Sequence, residues 1–303
     1  MQPDLDTFSF ARRRALSRTF SIGAAALLAG CSPLRLINEL APADTYRRTA
    51  DLAYGSHPRQ RIDVYQPADG YQRAGRERPA PMVVFFYGGS WRSGSRTDYL
   101  FVGEALASRG CVVAIADYRL FPEVRFPDFV DDSAMAVAWM HRHAAAYGGD
   151  TARMFVMGHS AGAYNAAMVA LDRRYLARAT AEAPPIAGLI GLAGPYDFLP
   201  LESRLLRNVF GWPDTPPETQ PIRFVGPAAP PTLLLTASRD GIVSPGNSAR
   251  LAARLRDAGR PVREVAYAQL DHRTLVGALA APLRDLAPVL DDVAAFIGPP
   301  PTA

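Results

Sequence analysis

The chain alternates between short, continuous apolar runs and longer stretches whose apolar residues recur at helical spacing. Met82-Val83-Val84-Phe85-Phe86 and 111–116 are continuous runs, the pattern of strands covered on both faces. Met154-Phe155-Val156-Met157 is another such run, and further strands are predicted at 186–192, 232–236 and 261–267. Near the start, Arg61, Asp63 and Tyr65 alternate with Ile62 and Val64, which with 49–54 predicts an antiparallel pair. Helical spacing fills the intervals. It is read over 98–109, closed by Gly110, and over 129–147, where Val130, Ala134, Val137 and Ala138 share a face before Gly148-Gly149. Further helices are read at 163–174, at 247–258 closed by Gly259, and at 286–297. Strands recurring between helices predict an α/β domain with a mostly parallel sheet and helices on both faces.

Two stretches break the alternation. Residues 1–30 carry Arg12-Arg13-Arg14 and Arg18 ahead of a ten-residue apolar run at 20–29, too short to span a bilayer and suited to a signal peptide. The run ends in Leu28-Ala29-Gly30-Cys31, which resembles the lipobox of bacterial lipoproteins. That resemblance implies cleavage before Cys31, lipidation of its thiol, and an exported protein held at the cell envelope on the periplasmic side. Residues 31–43, punctuated by Pro33 and Pro42, read as a tether, and 44–303 as one domain. Within it, 197–231 has no strand pattern and holds eight prolines, which places a short cap segment there.

Composition changes this picture little. With 49% apolar and 20% charged residues the 303-residue chain is ordinary globular protein. Every basic residue is arginine, but the arginines are scattered and the net charge is only +4, so no nucleic-acid partner is expected. Two cysteines, Cys31 and Cys111, supply neither metal-ligand spacing nor a disulfide framework, and no metal is expected.

The chemistry centres on Gly158-His159-Ser160-Ala161-Gly162, a Gly-x-Ser-x-Gly turn between a predicted strand and a predicted helix. Such a turn lifts a serine hydroxyl clear of the backbone, and the helix start behind it offers unpaired N–H groups to a developing oxyanion. A serine needs a base. Of the five histidines, His159 lies inside the turn, His141 and His143 on a solvated helix, and His57 in an early loop. His272 follows the last strand at the same sheet edge as Ser160, which makes it the expected base. Asp240, in the loop after 232–236, is the expected carboxylate partner; Asp197 is the runner-up, its alternative role a helix N-cap before 198–207. Asp271, next to His272, is expected to point elsewhere. The chain order is then Ser160, Asp240, His272. Oxyanion donors are expected from the Ala161 N–H and from the Gly88-Gly89-Ser90 loop.

Together these stretches resemble the α/β-hydrolase carboxylesterases, near the hormone-sensitive-lipase and feruloyl-esterase-like families. The matching residues are Tyr87-Gly88-Gly89-Ser90-Trp91, Asp117-Tyr118-Arg119-Leu120-Phe121-Pro122-Glu123, Tyr147-Gly148-Gly149-Asp150, the serine turn, and Ser238-Arg239-Asp240. The Tyr-Gly-Gly-Ser-Trp loop departs from the His-Gly-Gly-Gly of the lipase group and is similar to the loops of arylformamidases and prenylcysteine methylesterases. The resemblance implies the α/β-hydrolase fold over about 49–297, a Ser-Asp-His triad without cofactor, and activity on short-chain or aryl esters. It places the oxyanion donors on Gly89, Ser90 and Ala161, and gives Tyr87 and Trp91 a share in shaping the substrate site. An aryl amide or formamide hydrolase with the same triad, and a silent hydrolase-fold binding lipoprotein, are the alternatives.

Overall fold

The computed structural model describes residues 33–298 apart from 69–78, 212 and 214; the expected signal peptide and Cys31 lie outside the described residues. The elements run α1 (Pro33–Glu39), β1 (Tyr46–Ala53), β2 (Arg61–Pro67), β3 (Ala80–Phe86), α2 (Leu100–Ala107), β4 (Val112–Ala116), α3 (Asp128–His143) and β5 (Gly149–His159). They continue with α4 (Ala161–Leu171), α5 (Arg173–Ala179), β6 (Gly188–Leu192), α6 (Arg204–Phe210), β7 (Thr232–Ala237), α7 (Gly246–Asp257), β8 (Val262–Tyr267), α8 (His272–Gly277) and α9 (Val289–Ile297).

The strands form one eight-stranded sheet in the order β1-β2-β4-β3-β5-β6-β7-β8. The β1–β2 and β2–β4 pairs are antiparallel and all later pairs parallel. Strands β3, β4 and β6 are buried at every position, as their unbroken apolar runs require when helices cover both faces. The edge strand β8 is only partly covered: Val262 and Val265 are half-buried and Tyr267 is buried, while Arg263, Glu264 and Ala266 are exposed. Among the described residues no helix is long and apolar enough to cross a membrane.

Because the central strands run parallel, their C-terminal ends share one edge, and the loops that follow β3, β5, β7 and β8 meet there. The turn after β5 is tightly built. A Cβ on Gly162 would stand 2.0 Å from the carbonyl oxygen of Phe86, and one on Gly158 2.2 Å from that of Gly162. Glycine at both positions lets α4 start directly against the end of β3.

Three sequence expectations change. The stretch read as a tether contains α1, which docks on the domain: Asn38 Nδ2 donates to the Thr97 carbonyl at 2.9 Å, and Asn38 Oδ1 accepts from the Phe101 N–H at 3.1 Å. The segment 197–231 holds α6, capped by Ser203, whose hydroxyl accepts from the Leu206 N–H at 3.1 Å. Asp197 is therefore not that cap; its carboxylate pairs with Arg250 Nε at 2.5 Å. The helix α8 was not legible from periodicity because it is only six residues long. Its signal is local: Asp271 accepts from the Arg273 and Thr274 N–H groups while the Thr274 hydroxyl answers back, a capping box.

Candidate active site

Ser160 stands between β5 and α4 with φ +55° and ψ −122°, a conformation that a residue with a Cβ adopts only under constraint from its surroundings. The constraint is visible. The Ser160 N–H donates to the Leu192 carbonyl at 2.9 Å, and its carbonyl accepts from Ala163 and Tyr164 as the helix begins. Ala161 is the first residue of α4, so its N–H has no intrahelical partner, and the residue lines a cavity that Ser160 also borders.

Asp240 and His272 come from two different loops at this edge. His272 Nδ1 and Asp240 Oδ2 lie 2.7 Å apart, with the carboxylate 1% and the imidazole 8% exposed. The other carboxylate oxygen accepts from the N–H groups of Ile242 and Val243, both at 2.8 Å. Asp240 is thus fixed by its own loop, and its remaining acceptor is aimed at the ring. Asp271 is turned away by its capping role, and the Thr274 N–H holds its carboxyl below the usual carboxylate range.

By its place inside the serine turn His159 is not the expected base. The structure places it in a different relation. Its Nε2 lies 2.9 Å from the His272 carbonyl, and the two rings stand 4.7 Å apart between centroids. A carbonyl can only accept, so this nitrogen carries the proton. Burial, reinforced by His272, pushes the His159 imidazole down to about 3 and leaves it neutral. His159 therefore ties the serine turn to the start of α8. The remaining histidines are elsewhere: His57 pairs with Glu123 at 2.5 Å, and His143 stacks on Trp139 at 4.1 Å.

The loop after β3 brings Gly89 and Ser90 to the cavity that Ser160 borders. Its turn is closed by the Gly89 carbonyl, which accepts from the N–H groups of Arg92 and Ser93. Gly89 has φ +132°, and a Cβ there would meet the Ser93 carbonyl oxygen at 2.0 Å. Trp91 borders the cavity and anchors the loop to the helix behind the serine. Its Nε1 donates to Asn165 Oδ1 at 2.9 Å, and its ring meets Tyr164 and Phe210 edge-on at 5.2 and 4.9 Å.

Tyr87 does not reach the cavity. Its ring is fully buried beneath the loop, where the phenol donates to Asp117 Oδ1 at 2.9 Å and accepts from Arg59 at 2.8 Å. Tyr118 supports it in turn, donating from its hydroxyl to the Tyr87 carbonyl at 2.8 Å. Arg96 closes the group, pairing with both Asp117 and Asp63, and Arg119 pairs with the buried Asp132. The Asp-Tyr-Arg motif thus scaffolds the Gly88-Gly89-Ser90 loop rather than touching a ligand. Asn165, Tyr118 and His159 are supporting residues that the sequence reading did not assign; their only signal was adjacency to the serine turn and to that motif.

Two lobes meet at Ser160, Ser90 and Ile242. One, of about 560 Å³, runs under 197–206 past Trp91, Phe198 and Leu206 and carries Asp197, Glu202 and Arg250. The other, of about 540 Å³, runs past His272 and is walled by Leu34, Ile37, Tyr99, Phe101, Val276 and Leu283. A bent small molecule with a carbonyl at the junction fits this shape.

An eight-stranded, mostly parallel sheet with a serine at the β5–α4 turn and an Asp–His pair from the loops after β7 and β8 defines the α/β-hydrolase class. The BD-FAE family model matches residues 62–255, and the chain belongs to that family. Isoprenylcysteine alpha-carbonyl methylesterase of Arabidopsis thaliana is 31% identical over 263 residues, 77% of this chain and 58% of the relative. A probable isoprenylcysteine alpha-carbonyl methylesterase of Oryza sativa subsp. japonica is 38% identical over 122 residues, 40% of this chain. The chain spans 28% of that rice protein's length. Esterase LipC of Mycobacterium tuberculosis is 29% identical, covering 86% of this chain and 70% of the relative. Among solved structures, a truncated carbohydrate esterase from gut microbiota superposes with TM-score 0.71 at 18% identity, over 84% of this chain and 97% of that one. An esterase of Pyrobaculum calidifontis does so with TM-score 0.67 at 24% identity, over 88% of each chain. At these identities the structural likeness speaks for the fold.

Proposed function

We propose that this protein is a serine esterase that hydrolyses carboxylic esters through an acyl-enzyme on Ser160. The observation that carries the reading is the 2.7 Å contact between His272 and a fully paired Asp240 at a cavity that Ser160 also borders. Relatives named as esterases support the same class.

In this mechanism Asp240 accepts from Nδ1–H of His272 and leaves Nε2 unprotonated. Ser160 Oγ attacks the ester carbonyl as Nε2 takes its proton. The tetrahedral oxyanion is held by the N–H groups of Gly89, Ser90 and Ala161, each such donor contributing about 3–4 kcal/mol to the transition state. Nε2 then protonates the departing alcohol. Water enters by the same route and releases the acid. The constrained backbone at Ser160 and the Trp91–Asn165 anchor keep nucleophile and donors in one geometry before the substrate arrives. The reading requires no cofactor. Its natural setting is the bacterial envelope: the lipobox-like Cys31 lies two residues ahead of α1, so a lipid there would hold the domain close to the membrane surface.

The test is turnover of p-nitrophenyl acetate by the mature protein, with fluorophosphonate labelling of Ser160 beside it. Ser160→Ala abolishes both with the fold intact. Wild-type-like turnover in that variant would remove Ser160 from the mechanism. Labelling with hydrolysis of an aryl formamide but of no ester would move the activity to amides.

A further inference from the structure

We propose that the leaving alcohol, rather than the acyl group, is the long apolar part of the substrate, and that the lobe walled by α1 and α8 receives it. The proposal rests on the serine-esterase reading.

Proton transfer fixes the side on which the alcohol lies. The ester's C–O bond breaks as Nε2–H of His272 hands its proton to the departing alkoxide oxygen, which leaves as the neutral alcohol. Ser160 Oγ keeps the acyl group. That transfer requires the leaving oxygen to stand within about 3 Å of Nε2, or one water away. The alcohol therefore extends from the carbonyl on the His272 side, and the acyl chain on the opposite side. The two sides are distinct here. His272 borders only the lobe of about 540 Å³; of the oxyanion donors, Gly89 borders that lobe, Ala161 the other and Ser90 both. Ser160, Ser90 and Ile242 border both, which puts the carbonyl carbon at the junction.

The linings differ in the charge they carry. Away from the junction and the polar groups of the reaction centre, the His272 lobe is walled by Leu34, Ile37, Tyr99, Phe101, Val276 and Leu283, and the ionic residue on it is Arg273, exposed in the first turn of α8. The opposite lobe also has apolar walls, from Trp91, Phe198, Leu199, Leu205 and Leu206, but among them it presents Glu202 and the Asp197–Arg250 pair along with Ser203, Ser244 and Asn247. An alkyl or aryl group gains from burial in the first lobe and gains less in the second, where it would strip water from charged groups. The substrate class is thus an ester of an apolar alcohol or phenol with a shorter or more polar acid. Helix α1 makes part of the wall through Leu34 and Ile37, so the segment that follows Cys31 helps choose the substrate.

The experiment compares isomeric esters by pH-stat: butyl, hexyl and octyl acetates against methyl pentanoate, heptanoate and nonanoate. kcat/KM reports acylation in both series, the step in which the alcohol leaves. Each methylene buried in the alcohol lobe is expected to raise kcat/KM up to about fourfold, with a shallower rise along the alkanoates. Ile37→Asp is expected to flatten the acetate series, and Leu206→Asp, in the other lobe, to leave that slope in place. A steeper rise along the methyl alkanoates, or equal slopes in the two series, overturns the assignment while leaving the esterase reading standing. Absence of both ester turnover and fluorophosphonate labelling in the folded protein overturns the esterase reading, and this inference with it.

Discussion

Replacing Asp240 by asparagine separates geometry from charge in the proposed triad. The Asp240 side chain is 1% exposed, and its Oδ1 accepts from two backbone donors, Ile242 N–H and Val243 N–H, each at 2.8 Å. In Asp240→Asn only a carbonyl oxygen can occupy that position, because an amide NH₂ would face two N–H groups. The NH₂ must then point at His272 Nδ1, where Oδ2 stood 2.7 Å away. An N–H donor there forces Nδ1 to accept, so the ring's proton moves to Nε2 and the imidazole can no longer take the proton of Ser160. The expected loss is about 10⁴-fold in kcat, or about 5 kcal/mol of transition-state stabilisation. The fold should persist, since both backbone hydrogen bonds remain. The assay is p-nitrophenyl acetate turnover, with circular dichroism to verify folding. Asp197→Asn is the comparison. That carboxylate pairs with Arg250 and is 34% exposed, so its loss costs at most about 1 kcal/mol of stability. A folded Asp240→Asn enzyme within about tenfold of wild type, or a larger loss in Asp197→Asn, would refute the reasoning.

Three further outcomes follow from individual residues. His159 is held neutral in the fold, with its value at about 3 against about 6.5 when unfolded. The unfolded chain therefore takes up the proton first, and the stability that the neutral ring contributes is present above about pH 6.5 and lost as pH falls toward 3. His159→Gln should flatten the dependence of Tm on pH across that window, and parallel curves for the two proteins would contradict it. Tyr87→Phe removes a hydroxyl shared by Asp117 and Arg59 and should cost about 1–3 kcal/mol in denaturant unfolding with KM little changed. A raised KM without loss of stability would return Tyr87 to the substrate. Cys31→Ser should shift the protein out of the membrane fraction, and unchanged retention there would count against lipidation.

The apolar runs alone determined most of the sheet. Continuous hydrophobic stretches such as Val112–Ala116 and Gly188–Leu192 have few conformations open to them except strands covered on both faces, and the helices between them oblige those strands to run parallel. The serine turn was equally local, since a Gly-x-Ser-x-Gly flanked by strand and helix carries its geometry in adjacent residues. What periodicity could not report was anything carried by six or seven residues or by contacts across the fold. Helices α1 and α8 are too short for a pattern, and Asp197 passes for a helix cap until Arg250, on another helix, claims it. Tyr87 shows the same limit. A tyrosine beside a glycine loop reads as a ligand contact, yet its hydroxyl turns inward because Asp117 and Arg59 wait beneath the loop. His159 reads as part of the serine turn, and only the meeting of the end of β5 with the start of α8 shows that its partner is the His272 carbonyl. Residue types and their order along the chain determined which groups could do chemistry. Tertiary structure decided which of them face the cavity and which hold it open, because those choices depend on hydrogen-bond partners far away in sequence.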